Sequence, residues 1–345
     1  MAKRFKYLLF LVFSGLLTVT PGCIDDEGFD NSPVGNFDAL WHVIDERYCF
    51  FAYKDIDWNE VYSRYRPMVN ESTNNQDLFN VMAKMLYELE DGHVNLVTPF
   101  DQARYWKWFE DYPINYYAET VNKYYLKQPD YKIAGSMRYR ILDGTNIGYV
   151  YYGNFSSGVG DGNLDEILFA FYYCDGIIID VRSNGGGLVT NVEKIVSRFI
   201  KNEMVSGYMR HKISPAHNGF SDYYPVTIKP ASSGRVKYYG PVAVLTNRSC
   251  FSATNDFVSV MKQLPQVAVI GDKTGGGGGL PFSSELPNGW SLRFSASPIV
   301  NAAKEEIEFG VDPTEKVNLA PLTAGTTTDA IIDAAVSWIN SKSGN

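Results

Sequence analysis

From Pro33 to Asp91 the apolar positions recur at intervals of three and four. Phe37, Leu40, Trp41, Ile44 and Tyr48 form one stripe, and Leu78, Val81, Met82, Met85, Leu86 and Leu89 form another. That period is helical. "NESTNNQD" at 70–77 supplies Asn and Ser caps ahead of the second stripe. Further along, "GIIIDVR", "PVAVLTN" and "VAVIGD" are largely apolar runs of strand length, alternating with "DEILFAFYYC", "VEKIVSRFI" and "SATNDFVSVMKQL", which read as helices. Such alternation predicts crossover connections and a buried, largely parallel sheet. "TDAIIDAAVSWINSK" predicts a closing amphipathic helix. In the middle of the chain "PINYYAETVNKYYL", "MRYRIL" and "NIGYVYYGNF" have the aromatic and β-branched content of strands.

These patterns divide the 345 residues into a leader at 1–22, a tether at 23–33, an N-terminal helical domain at 34–92, a strand-rich connecting region at 93–145 and an α/β core at 146–345. A chain of this length can bury a large core. In the leader, Lys3, Arg4 and Lys6 precede an apolar run and small residues, the layout of a secretory signal. Cys23 at its end resembles the lipidated first residue of a bacterial lipoprotein, and Asp25, Asp26 and Glu27 resemble the acidic export tag of surface lipoproteins. The expectation is an outer-membrane lipoprotein of the bacterial envelope, facing the periplasm or the surface and held to the membrane by lipid on Cys23.

Composition narrows the chemistry. The formal net charge is -8 and no basic cluster occurs, which argues against nucleic acid. Past Cys23 only Cys49, Cys174 and Cys250 remain, too few and too widely spaced for a zinc site or a disulfide framework, so no metal is expected. The 24 tyrosines and 20 phenylalanines fit a carbohydrate or peptide groove as well as ordinary packing.

Two turns follow buried strands and carry candidate chemistry. In "NRSCFSATNDF" Ser252 stands where a strand gives way to a helix. A serine there can cap the helix, or it can be a nucleophile whose oxyanion meets the first free amides. In "IIIDVRSNGGG" the glycines let the backbone approach a ligand and form an anion-binding nest. The segment lacks the Lys-Ser/Thr ending of a phosphate loop, so an oxyanion site is favoured over a nucleotide. Asp180 and Arg182 beside it read either as a substrate-binding pair or as a structural bridge. His93 in "DGHVNLVTPF" is a strand-edge histidine or a base, depending on a partner elsewhere.

Taken in order, "DGHV", "IIIDVRSNGGG", "SCFSATND…VIGDKTGGG" and "EIEFGVDP" resemble the C-terminal-processing and tricorn-core family of serine peptidases, over roughly residues 34 to 320. The resemblance implies a crotonase- or ClpP-like α/β core with an N-terminal helical domain, and no organic cofactor. In the processing-peptidase branch a lysine follows the serine by 25 residues; here 252 + 25 = 277, and position 277 is glycine. The tricorn-like branch uses a histidine base and a late glutamate. That branch implies Ser252 as nucleophile, His93 as base, Glu308 as orienting acid, and the amides of Gly186 and Ala253 as the oxyanion hole. Gly92 replaces a hydroxyl of the tricorn core, and Asn255 replaces a common glutamate. The fifty or so residues after His93 are short for a PDZ module, which is absent or reduced. A rival pair, Ser249 and Lys273, is spaced by 273 − 249 = 24. The expected reaction is peptide hydrolysis through an acyl-enzyme. Alternatives are an inactive relative that binds peptides or glycans, and an esterase-like acyl hydrolase. Nothing in the sequence sets the oligomeric state.

Overall fold

The structure, a computed structural model, describes residues 28–323 and 326–343. Cys23 and the leader lie outside the described residues. Among those described, two sheets carry the site. The first runs Glu315–Lys316, Val267–Gly271, Val242–Thr246, Gly176–Asp180, Ile147–Tyr152, Met137–Ile141 and Lys132–Ala134. Its strands pair in parallel from Glu315–Lys316 as far as Ile147–Tyr152 and antiparallel beyond. The three central strands Gly176–Asp180, Val242–Thr246 and Val267–Gly271 are buried along their whole length, as the unbroken apolar runs require. Helices Asp161–Ala170, Val189–Val196 and Ala253–Met261 cover one face, and Ala330–Ser343 covers the other through Ile331, Ile332, Ala335 and Ile339.

The second sheet was not foreseen. It is antiparallel and runs Gln102–Arg104, Asn95–Val97, Ser291–Asn301, Met204–Met209 and Tyr224–Ile228, with Gly279–Glu285 also on Ser291–Asn301. Helices Pro33–Arg47 and Asn75–Tyr87 pack on it, with Trp58–Tyr65 against Asn75–Tyr87, so that Leu40, Ile44, Met82 and Leu86 share one cluster with Leu286, Trp290, Leu292 and Phe294. The N-terminal helices thus complete a core supplied from residues 286–294, and the boundary drawn at 92/93 cuts through it. The boundary at 145/146 likewise divides the first sheet, whose edge strands begin at Lys132.

One element differs in kind. "PINYYAETVNKYYL" forms helical turns at Ala118–Thr120 and Val121–Tyr125, not a strand. Val121 and Leu126 are fully buried against Ile147 and the closing helix, and that contact outweighs the β propensity of the aromatics. Of the two readings of Asp180 and Arg182, the structural bridge fits the surroundings: Arg182, fully buried, pairs with Asp180 at 2.6 Å and Asp329 at 2.9 Å. Asp329 in turn accepts from the amides of Ile331 and Ile332, so the bridge ties the closing helix to the sheet.

Candidate active site

Ser252 ends the turn that follows Val242–Thr246 and precedes Ala253–Met261. Its φ of 59° and ψ of −123° lie in sparsely populated space for a side chain, at a cost of about 1–3 kcal/mol. The hydroxyl makes no capping bond. Instead it lies 2.9 Å from His93 Nε2. Two backbone bonds hold the strained turn: the Ser252 amide donates to Gly276 O at 2.8 Å, and its carbonyl accepts from Asp256 N at 3.0 Å.

His93 arrives from the other sheet, at the turn between helix Asn75–Tyr87 and strand Asn95–Val97. The site therefore lies at the seam of the two sheets. The imidazole is 2% exposed and packs on the Phe251 ring, centroids 4.7 Å apart. Burial pushes it from 6.5 down to about 4; Asp91 works against this, while Arg293, Arg104 and Lys54 reinforce it. Asp91 Oδ1 accepts the His93 backbone amide at 2.7 Å, and Oδ2 accepts from Tyr48 and Ser295 hydroxyls at 3.1 and 2.8 Å.

Glu308 is where the expected geometry fails. Its Oε1 pairs with Lys54 Nζ at 2.9 Å and its Oε2 accepts the Gly278 amide at 2.8 Å, whereas His93 Nδ1 is buried and has no hydrogen-bond partner. Both carboxylate oxygens of Glu308 are thus taken by groups other than the ring, and Glu308 is not bonded to the base it was expected to orient. Burial pushes its carboxyl up to about 7, against the pull of Lys54. Lys54 went unnoticed in the sequence because a single lysine on a short helix, Phe51–Lys54, carries no motif.

The oxyanion candidates also divide. Ala253 is the first helical residue, so its amide has no intrahelical acceptor. Gly186, with φ of 97°, lies so close that a Cβ there would be 2.8 Å from Ser252 Cβ. Yet its amide donates to Asn184 Oδ1 at 3.0 Å, an oxygen that Thr254 Oγ also approaches at 2.7 Å. The proximity is as expected, but the donor is engaged. The rival lysine fares worse: Lys273 Nζ lies 3.7 Å from Asp312 with a third of its side chain exposed, paired with a surface carboxylate. At Gly277 a Cβ would lie 2.6 Å from the Phe251 ring, and φ is 83°, so no lysine fits there. Trp108 stacks on Phe251 at 4.2 Å, and both rings line a cavity of about 520 Å³ bordered by Gly92, Arg248 and Gly275.

Comparison with known proteins gives a consistent picture. The family model for peptidase family S41 matches residues 146–317, and that for the tricorn protease C1 domain matches residues 29–87. A candidate peptidase from Parabacteroides merdae, known as a crystal structure, is 51% identical, with a TM-score of 0.85 over 90% of this chain and 97% of that one. Mature CPAF bound to lactacystin shares the fold at a TM-score of 0.67 and 12% identity, over 90% of this chain and 97% of that one. A "Probable CtpA-like serine protease" of Staphylococcus saprophyticus is 29% identical over 143 residues, 41% of this chain. The chain spans only about a quarter of that protein, 27% of its length.

Proposed function

The chain belongs to peptidase family S41 and is a serine-type peptidase acting on peptides or proteins, and on that premise we propose that Ser252 is the nucleophile and His93 the general base. The observation that carries this reading is the 2.9 Å contact between a strained, non-capping hydroxyl and a buried imidazole. For Nε2 to accept the hydroxyl proton, the neutral ring must carry its hydrogen on Nδ1. Burial keeps the ring neutral at physiological pH and hence ready to accept. Ser252 Oγ attacks the substrate carbonyl while His93 takes its proton, and the developing oxyanion meets the Ala253 amide at the helix start. Collapse breaks the C–N bond, His93 returns the proton to the leaving amine, and the acyl-enzyme is hydrolysed by water activated through the same ring.

Asp91 lies where it can offset the charge of the imidazolium. The lipid-anchored envelope location rests on the leader and Cys23. A fluorophosphonate probe tests the assignment: mass spectrometry should find the label on Ser252, and Ser252→Ala should remove it while the circular dichroism stays native. A label on Ser249, or none on folded protein, would reject the nucleophile.

A further inference from the structure

Lys54 stands outside every motif of the chain, yet its side chain is only 4% exposed at the centre of the site. An ammonium has three donors, and here three acceptors meet it: Leu89 O at 3.0 Å, Glu90 O at 3.2 Å and Glu308 Oε1 at 2.9 Å. The two carbonyls belong to the turn directly ahead of Asp91 and His93, where Glu90 adopts a left-handed φ of 45°. From Glu308 the contacts lead the other way. Its Oε2 holds the Gly278 amide and its backbone carbonyl the Gly277 amide, while Gly276 O holds the Ser252 amide. Lys54 is thus the point where the turn bearing the base meets the turn supporting the nucleophile.

We propose that Lys54 is a positioning residue of the peptidase, which fixes the His93–Ser252 contact by tying the His93 turn to the Glu308–Gly278 turn and adds a positive charge beside the imidazole. The inference rests on the assignment of Ser252 and His93 given above. It makes the short N-terminal helix Phe51–Lys54 part of the active site. The charged groups facing His93 are Asp91 on its own turn, Arg104 and Arg293 on neighbouring strands, and Lys54. Of these Asp91 favours the imidazolium and the three cations oppose it.

The test must separate positioning from the mere neutralisation of Glu308. Lys54→Met alone strands the Glu308 carboxylate and can unfold the chain, so the decisive variant is Lys54→Met with Glu308→Gln, which removes that pair together and leaves Asp91 to its three hydrogen bonds, from the His93 amide and the Tyr48 and Ser295 hydroxyls. The readout is the second-order rate of Ser252 labelling by the fluorophosphonate from pH 4 to 8, with thermal melting as the measure of folding. The double variant is expected to melt as a folded protein but to react on the order of a hundred-fold more slowly, as for a misplacement of about 1 Å. Its acid limb should move to higher pH, because a cation acting on His93 is gone, whereas Glu308, held up to about 7, carries little charge where that limb lies. A folded double variant labelled at the wild-type rate overturns the inference and leaves the Ser252–His93 assignment standing. A slower rate with an unmoved acid limb overturns it too, since loosened packing alone would give that. Wild-type protein that takes no label on Ser252 removes both the assignment and the inference.

Discussion

An ordinary histidine base would make the reaction fail as the pH drops through about 6.5. His93 should not behave that way. Its ring is buried, three cations face it and only Asp91 opposes them, so it is held down to about 4. The difference, at about 1.4 kcal/mol for each tenfold change in proton affinity, is about 3 kcal/mol against protonation. At pH 5 an unperturbed imidazole would be only about 3% neutral, whereas one titrating near 4 would be about 90% neutral, a difference of roughly thirty-fold in reactive enzyme. The assay is the second-order labelling of Ser252 as a function of pH, which reports the free enzyme, with near-ultraviolet circular dichroism at each pH to establish that the fold persists. A half-maximal rate near 6.5 on folded protein would refute the reasoning, since the ring would then be hydrated or its cation stabilised. The same depression has a stability consequence. Between about 6.5 and 4 the unfolded chain binds a proton that folded His93 refuses, so stability falls as pH falls through that window. His93→Gln should relieve part of that loss in chemical denaturation at pH 5.

Other outcomes follow from particular contacts. Lys273→Ala should leave labelling and turnover near wild type, because Lys273 faces Asp312 at the surface; loss of labelling would restore the Ser-Lys alternative. Arg182→Met strands the buried carboxylates of Asp180 and Asp329 and should cost about 3–5 kcal/mol in urea unfolding; a change in substrate affinity at unchanged stability would argue for the substrate-binding reading instead. Burial pushes Asp256 up to about 6. The unfolded chain releases this proton near 3.8 and the folded one holds it to about 6, so stability falls as pH rises through that window and is not regained above it; Asp256→Asn should therefore stabilise by roughly 1–2 kcal/mol at pH 8 and by little at pH 4, and equal effects at both would rule out the titration. Cys23→Ser should move the protein from the membrane to the soluble fraction, and unchanged fractionation would sink the lipid anchor.

What the sequence disclosed follows the range of the forces involved. The central strands and their crossover helices were legible because full burial writes unbroken apolar runs and helical stripes into local sequence. The antiparallel sheet was not. Tyr224–Ile228 is exposed at every position but Ile228, and Gly279–Glu285 is largely exposed, so neither shows a clean alternation. Gly279–Glu285 forms a hairpin with Ser291–Asn301, but the sheet is assembled by partners far off in the chain, Asn95–Val97 and Met204–Met209, on either side of Ser291–Asn301. In the site, Ser252 and His93 stood in recognisable motifs, and the structure brings them together from residues 159 apart in sequence. That Glu308 bonds Lys54 and not the ring has a definite cause: motif order brought the carboxylate into the neighbourhood but could not reveal that Lys54, from a segment without a motif, would take it.

The two departures from the family pattern acquire physical meaning from their neighbours. A Cβ at Gly92 would lie 2.6 Å from Trp108 Nε1 and 2.9 Å from the Phe251 ring, so the aromatic stack beside His93 occupies the space a hydroxyl side chain would need. Removing that hydroxyl while keeping Glu308 would leave a buried carboxylate without a donor, a costly arrangement; Lys54 and the Gly278 amide supply the donors. Asn255 does for the backbone what Lys54 does for the charge. Its Nδ2 donates to Ile307 O at 3.0 Å and its Oδ1 accepts from Thr274 Oγ at 2.6 Å, while Thr274 Oγ receives the Val311 amide at 2.6 Å. The helix that begins at the nucleophile is therefore bonded directly to the segment that carries Glu308. A glutamate at 255 could accept but not donate to Ile307 O, so Asn255 is matched to this chain's turn. Asn255→Asp should accordingly weaken that segment and slow labelling of Ser252, with the melting temperature falling in parallel. An aspartate variant as reactive and as stable as wild type would mean that the Glu308 segment holds its place without the helix.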